Sequence, residues 1–417
     1  MRLVLLLLIS INPSYIVLAQ IEQSESENPV TVNVSYTGDV FANLTGGNET
    51  GFRYLDNIDV NFEIDFNHLP TGFNGTTFYV YGMGNQGGSI SELTGDIQGV
   101  SNIEGDTSWR IFEVWAQKKF FITNSSLLLG LYDINSEFNV LNSSAIFKNS
   151  SYGLDPTIAF SGFNGMGPST FPYTSLAARL KFNPVDGLVL QAAVLDGVPS
   201  DPVNPSGTKI KLRESDGLFL IGEASRHFMS QSDGDLQLRK RVTRLHSLLD
   251  RELETDNMIG FGGWYYSREK KPWNPVEEKD NEYGFYGFGE YQIINRKEFY
   301  LSDLKVFVRA GFANQKVNQL NGFLSGGLVA TGLFENRPED KTGIAAAYAS
   351  ASTSYLNNYT INGSRPENAE TNIEFTHQFV WNDYLQIQGS FQYVINPGFD
   401  ATLENTFVTG TRLIIGF

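Results

Sequence analysis

The chain contains no cysteine. That absence removes disulfide frameworks, thiol catalysis and thiolate metal sites together. Basic charge is short as well: 30 lysines and arginines stand against 46 aspartates and glutamates, a net charge of −16. Nucleic acid is thereby excluded as a partner, because phosphate recognition needs clustered cations. Beyond the first residues no apolar run approaches the roughly 18 residues of a membrane-spanning helix, so a helical membrane protein is excluded. Histidine is scarce too. His68, His227, His246 and His377 share no metal-ligand spacing. G-x-S-x-G and Gly-Lys-Ser/Thr motifs are missing, which argues against a nucleophile elbow and a phosphate loop. No metal or cofactor is implied, and a hydrolase survives only as an alternative.

What is present points to an exported chain. Arg2, the apolar stretch 3–9 and the small-residue end at Ala19 form a secretory signal, so residues 1–19 are expected to be removed. Residues 20–30 are polar and acidic, the pattern of a flexible mature N-terminus. The remainder holds 41 glycines and 13% aromatic residues with only 18% charged, unusual for a soluble exported enzyme. A transmembrane barrel conceals its hydrophobicity in alternation, which leaves an ordinary average hydropathy.

The alternation is clearest over 58–67. Ile58, Val60, Phe62, Ile64 and Phe66 share one face, and Asp59, Asn61, Glu63, Asp65 and Asn67 the other. That length suits a tilted strand crossing a bilayer. The pattern returns in Leu385, Ile387, Phe391 and Tyr393, opposed by Gln386, Gln388, Ser390 and Gln392, and in a last segment ending at Phe417. A final strand closing on Phe resembles the terminal signal of bacterial outer-membrane proteins.

Such segments, separated by turn signals, predict strands near 31–43, 57–68, 76–83, 108–120, 127–133, 174–183, 187–196 and 217–228. Others follow near 257–267, 282–294, 304–314, 322–334, 341–353, 370–380, 384–395 and 407–417. The expected fold is all-β: a transmembrane antiparallel β-barrel of about 16 strands over 31–417, with both termini in the periplasm. Short and long connections alternate, as periplasmic turns and outer loops do. A helical insertion is expected near 229–256, where Leu238, Val242, Leu245 and Leu249 recur at helical spacing between arginines. The longest connection, 134–173, carries Phe138, Phe147, Tyr152, Ile158, Phe160 and Phe163. Left in solvent, that surface would be unfavourable by roughly 25 cal/mol per Å². The loop is therefore expected to fold into the barrel and narrow it, facing Arg179, Arg309 and Arg412 across the channel.

Strand parity turns a set of polar side chains inward: Asp59, Glu63, Asp65, Arg179, Lys181, Glu223, Glu290, Arg309, Glu374, Gln386, Gln388 and Arg412. Inward placement is favoured because an arginine on the lipid face near the midplane costs roughly 2–4 kcal/mol. Such donors and acceptors can replace the hydration of a neutral solute while binding it weakly enough for release.

Several blocks resemble the carbohydrate-selective porins of the OprB type, namely 173–184 (YTSLAARLKFNP), 191–199 (QAAVLDGVP), 217–223 (GLFLIGE), 332–346 (GLFENRPEDKTGIAA) and 391–398 (FQYVINPG), with Gly410-Thr411-Arg412. The resemblance implies a bacterial outer-membrane barrel for facilitated diffusion of small sugars, set in lipid and lipopolysaccharide as a homotrimer or monomer. A general or cation-preferring porin is the alternative that the acidic inward residues suggest.

Overall fold

The computed structural model describes residues 28–69, 72–163, 165–228, 257–295, 301–361 and 366–417. The expected signal peptide, most of the N-terminal segment 20–30 and the helical insertion near 229–256 lie outside the described residues.

The first eight strands are β1 (Val30–Thr45), β2 (Gly51–Asp65), β3 (Thr76–Gly87), β4 (Ser108–Phe120), β5 (Ser125–Tyr132), β6 (Ser175–Val185), β7 (Leu188–Asp196) and β8 (Leu218–Phe228). The rest are β9 (Asn257–Lys270), β10 (Asp280–Asn295), β11 (Asp303–Ala313), β12 (Leu320–Thr331), β13 (Lys341–Ala351), β14 (Ala369–Asn382), β15 (Leu385–Ile395) and β16 (Thr406–Gly416). Each pairs antiparallel with its sequence neighbours, and β1 pairs with β16 to close the barrel. Asp39 stands opposite Arg412 across that seam. Closure leaves no edge strand, which lipid requires.

The outer surface explains the alternation. Val60, Ile373, Phe375, Phe391 and Phe407 are exposed and face away from the lumen, while their neighbours Asp59, Asn372, Glu374, Gln392 and Thr406 are buried inside. Exposed aromatics gather at both rims, with Phe52 and Trp109 at one end and Trp381, Tyr384 and Phe417 at the other, in the manner of interfacial girdles.

Two segments extend differently from expectation. β2 begins at Gly51 and β3 runs on to Gly87. In these outer halves Leu55 and Met83 point inward and are buried, so apolar side chains join the otherwise polar inner face and the period is lost. At the other end, β2 stops at Asp65, whose carboxylate accepts a hydrogen bond from the backbone N–H of Asn67 at 2.9 Å. Phe66 consequently leaves the lipid-facing row; it lies in a short 3-10 turn, edge-to-face with Phe73.

The short connections 121–124, 186–187 and 383–384 lie at the end that holds the start of β1 and the end of β16. The long ones, 88–107, 133–174, 197–217 and 352–368, lie at the opposite end. The segment 352–368 includes the helix α1 (Thr353–Ile361).

Candidate functional site

The connections 88–107 and 133–174 do not stand above the barrel. They fold into it. Phe138, Phe147, Tyr152 and Ile158 are buried against the inner wall in one cluster with Tyr286, Phe307 and Phe323. Phe147 packs on Tyr152 and Phe307, with ring centroids 4.8 and 5.7 Å apart. Space for them comes from small inward residues on β12 and β13: Gly327, Gly343, Ala345, Ala347 and Ala349. A Cβ at Gly343 would approach the Phe147 ring to 2.7 Å. The shorter infolded segment forms its own cluster, in which Ile90, Leu93 and Val100 meet Phe41 and Val408.

Polar anchoring follows one rule: wall carboxylates accept hydrogen bonds from loop backbone N–H groups. Glu223 accepts from Asn139 at 2.7 Å, and Glu290 from Ser143 at 2.8 Å. The two oxygens of Glu374 accept from Lys148 and Asn149 at 2.9 and 3.0 Å. Buried N–H groups of irregular backbone need such partners, and hydrogen bonds to charged groups contribute about 1.5–3 kcal/mol. Arg309 is complementary: its guanidinium donates to the carbonyls of Tyr152 and Asn139 at 2.7 and 2.8 Å. The Gln388 amide donates to the Ile146 carbonyl at 2.7 Å.

The other inward candidates divide. Arg179 donates to Glu137 at 2.6 Å at the start of the infolded loop, with Lys181 lying 3.5 Å from the same carboxylate. Arg412 makes two 2.6 Å bonds to Asp39, which also accepts from Ser101 of the shorter loop. The expectation that the long loop faces all three arginines across the channel is therefore corrected. It lies directly on Arg309, touches Arg179 through Glu137, and leaves Arg412 to the seam and the shorter loop. Asp59 accepts from Ser35 at 3.2 Å and from Tyr81 at 2.7 Å. Glu63 and Asp65 are half-buried on the inner face of β2, and Gln386 accepts from Gln378 at 2.9 Å.

Three anchors went unnamed at the level of sequence. Glu282 accepts from Gly162 at 2.8 Å, Glu370 accepts from Ile97 and Gln98 at 2.9 and 3.0 Å, and Asp39 clamps the seam. Their parity was available: Glu282 shares a face with Glu290 on β10, and Glu370 with Glu374 on β14. Within the long loop, Asp155 caps the turn Pro156–Ala159, its Oδ1 accepting from the N–H and hydroxyl of Thr157 at 2.8 Å. Its Oδ2 is buried without a hydrogen-bond partner, and burial pushes the carboxyl up to about 6.

The infolded segments thus cover the inner wall from β6 round through β16 to β1. On β2 and β3, Asn61, Glu63, Tyr79 and Tyr81 stay half-exposed on the inner face. The arrangement is a barrel whose interior is narrowed by fixed loops and whose remaining open wall is polar and aromatic.

Residues 49–417 match the family described as carbohydrate-selective porin, OprB family. Porin B of Pseudomonas aeruginosa is 20% identical over 410 residues, spanning 91% of this chain and 86% of that protein. The high-pH structure of Pseudomonas putida OprB superposes with a TM-score of 0.78 at 18% identity, covering 93% of this chain and 94% of that one. The outer membrane channel DcaP of Acinetobacter baumannii shares the fold at a TM-score of 0.55 and 9% identity, over 93% of this chain and 97% of its own. This chain belongs to the carbohydrate-selective porin family of the OprB type, and it is an outer-membrane β-barrel channel for the facilitated diffusion of carbohydrates.

Proposed function

We propose that the solutes are small, neutral sugars, and that they descend along the inner faces of β2 and β3 past the infolded loops. The observation that carries this reading is the fate of the wall carboxylates. Glu223, Glu290 and Glu374 spend their charge on loop N–H groups, so they do not offer a cation path. What faces the passage is a set of amides, hydroxyls and rings that can exchange hydrogen bonds with a sugar and release it, with Glu63 and Asp65 of β2 as its half-buried carboxylates. The work is diffusion, with no catalytic step. Residues 1–19 direct export and are removed, and 31–417 constitute the barrel, set in outer-membrane lipid and lipopolysaccharide.

Liposome swelling with a panel of sugars, amino acids and salts tests this. Hexoses and pentoses should enter faster than amino acids of equal size, and a salt gradient should produce only a small zero-current potential. A strongly cation-selective potential together with slow sugar entry would favour a cation-preferring porin instead.

A further inference from the structure

Five aromatic residues from β3, β4 and the end of the long loop lie along the open wall, and they form two layers. Phe112 and Trp115 of β4 are buried and form the back layer. Tyr79, Tyr81 and Phe171 are half-buried and form the front. Trp115 lies stacked behind Tyr79, with centroids 4.8 Å apart and planes 26° from parallel. Phe112 meets Tyr81 edge-on at 5.2 Å and Phe171 at 6.4 Å. The front rings are also held by their hydroxyls: Tyr79 donates to Asn61 at 2.9 Å and Tyr81 to Asp59 at 2.7 Å. The rings are therefore fixed in orientation before any solute arrives.

We infer that Phe171, Tyr81 and Tyr79 form a pre-set stacking track for pyranose rings, running from the outer mouth toward the periplasmic end of β3. The inference rests on the sugar reading above and deepens it by naming the ring face as the recognised feature. Tyr79 and Tyr81 are separated by one residue on an extended strand, an advance of about 7 Å along it. A pyranose can leave one ring as it meets the next, so its apolar face is not fully rehydrated between steps. Its hydroxyl edge meanwhile lies beside the polar row of β2, at Asp59, Asn61 and Glu63. No ring needs to grip the solute. A fixed ring contributes contact without the entropic cost of ordering a mobile side chain, which keeps each stop shallow and each exit fast.

The test compares a hexopyranose with sorbitol, an open-chain polyol of nearly the same size and hydroxyl content that has no ring face. Tyr79→Leu/Tyr81→Leu removes the front rings but keeps apolar bulk. Tyr79→Phe/Tyr81→Phe keeps the rings and loses the hydroxyl bonds. In liposome swelling, the wild-type channel should admit glucose faster than sorbitol. The leucine pair should lower that ratio roughly fivefold, the factor that about 1 kcal/mol of ring contact corresponds to. The phenylalanine pair should lower it less, and single-channel conductance in KCl should show that both variants remain folded and open. A leucine pair that conducts KCl normally and keeps the wild-type ratio overturns the track, as does a wild-type channel that passes glucose and sorbitol equally. A wild-type channel that conducts KCl but passes neither solute overturns the sugar reading itself.

Discussion

Gly311 of β11 lies directly against Asp155 of the infolded loop: a methyl group at 311 would overlap the carboxylate. The wall is built without a side chain there so that a loop acid can sit in it. Gly311→Ala should force Asp155 and its turn away from the wall, an overpacking cost of about 1–3 kcal/mol. Single-channel conductance should rise, and protease cleavage within 153–163 should quicken while the barrel stays folded. An unchanged conductance and cleavage pattern would contradict this contact.

Glu374 is bonded through both oxygens, to Lys148 and to Asn149. Glu374→Gln keeps the shape but supplies one accepting oxygen, so one buried N–H loses its partner at a cost of about 1–3 kcal/mol. Amide exchange at Lys148 or Asn149 should accelerate by one to two orders of magnitude. Exchange in the ladder pairs Ile373–Tyr393 and Phe375–Phe391, whose side chains lie on the outer wall, should not change.

The docking of the long loop should depend on pH through Asp155. Its carboxyl is raised by burial from 3.8 to about 6, held back in part by bonds from Thr157 and by Arg309. Because the folded state binds the proton more tightly, this group's stabilisation is complete below about pH 4 and is lost as pH rises through about 6. The upper bound is about 3 kcal/mol for a shift of this size. Protease resistance of 150–163 should therefore fall between pH 4 and 7 in the wild type. In Asp155→Asn, which keeps the Oδ1 acceptor for Thr157, the slope should flatten. Equal slopes in the two proteins would assign the dependence to other groups.

The absence of cysteine allows the faces of β2 to be read by single substitutions. Cysteine at Glu63 should react with a charged thiol reagent in the assembled membrane, and cysteine at Phe62 should be protected by lipid. Labelling at Phe62 with protection at Glu63 would reverse the register, since one residue of slip exchanges the two faces.

The strands were legible wherever lipid lay on one side and polar groups on the other, as from Ile58 to Asp65. Legibility failed where the interior is apolar. Leu55 and Met83 point inward and broke the period, which is why β2 and β3 were expected to be shorter. The infolding of 133–174 was readable from its aromatic content, whereas its partners were not. Parity placed Glu223, Glu290, Arg309 and Glu374 inside, but an inward acid has the same parity whether it faces water or caps a loop N–H. The run of small residues over 343–351 was the overlooked signal: small inward side chains on adjacent strands mark where something else must fit. The front rings Tyr79 and Tyr81 share the parity of the polar set, and were passed over because tyrosine is equally at home on a lipid-facing rim.

A closed sheet is tied only around its circumference, and hoops flatten easily. Here one loop, between Glu137 and Gly162, is fastened to β6, β8, β10, β11, β14 and β15. Those fastenings are chords across the hoop. Flattening the section would strain several of them at once. The bore is thus braced from within by the protein's own loop.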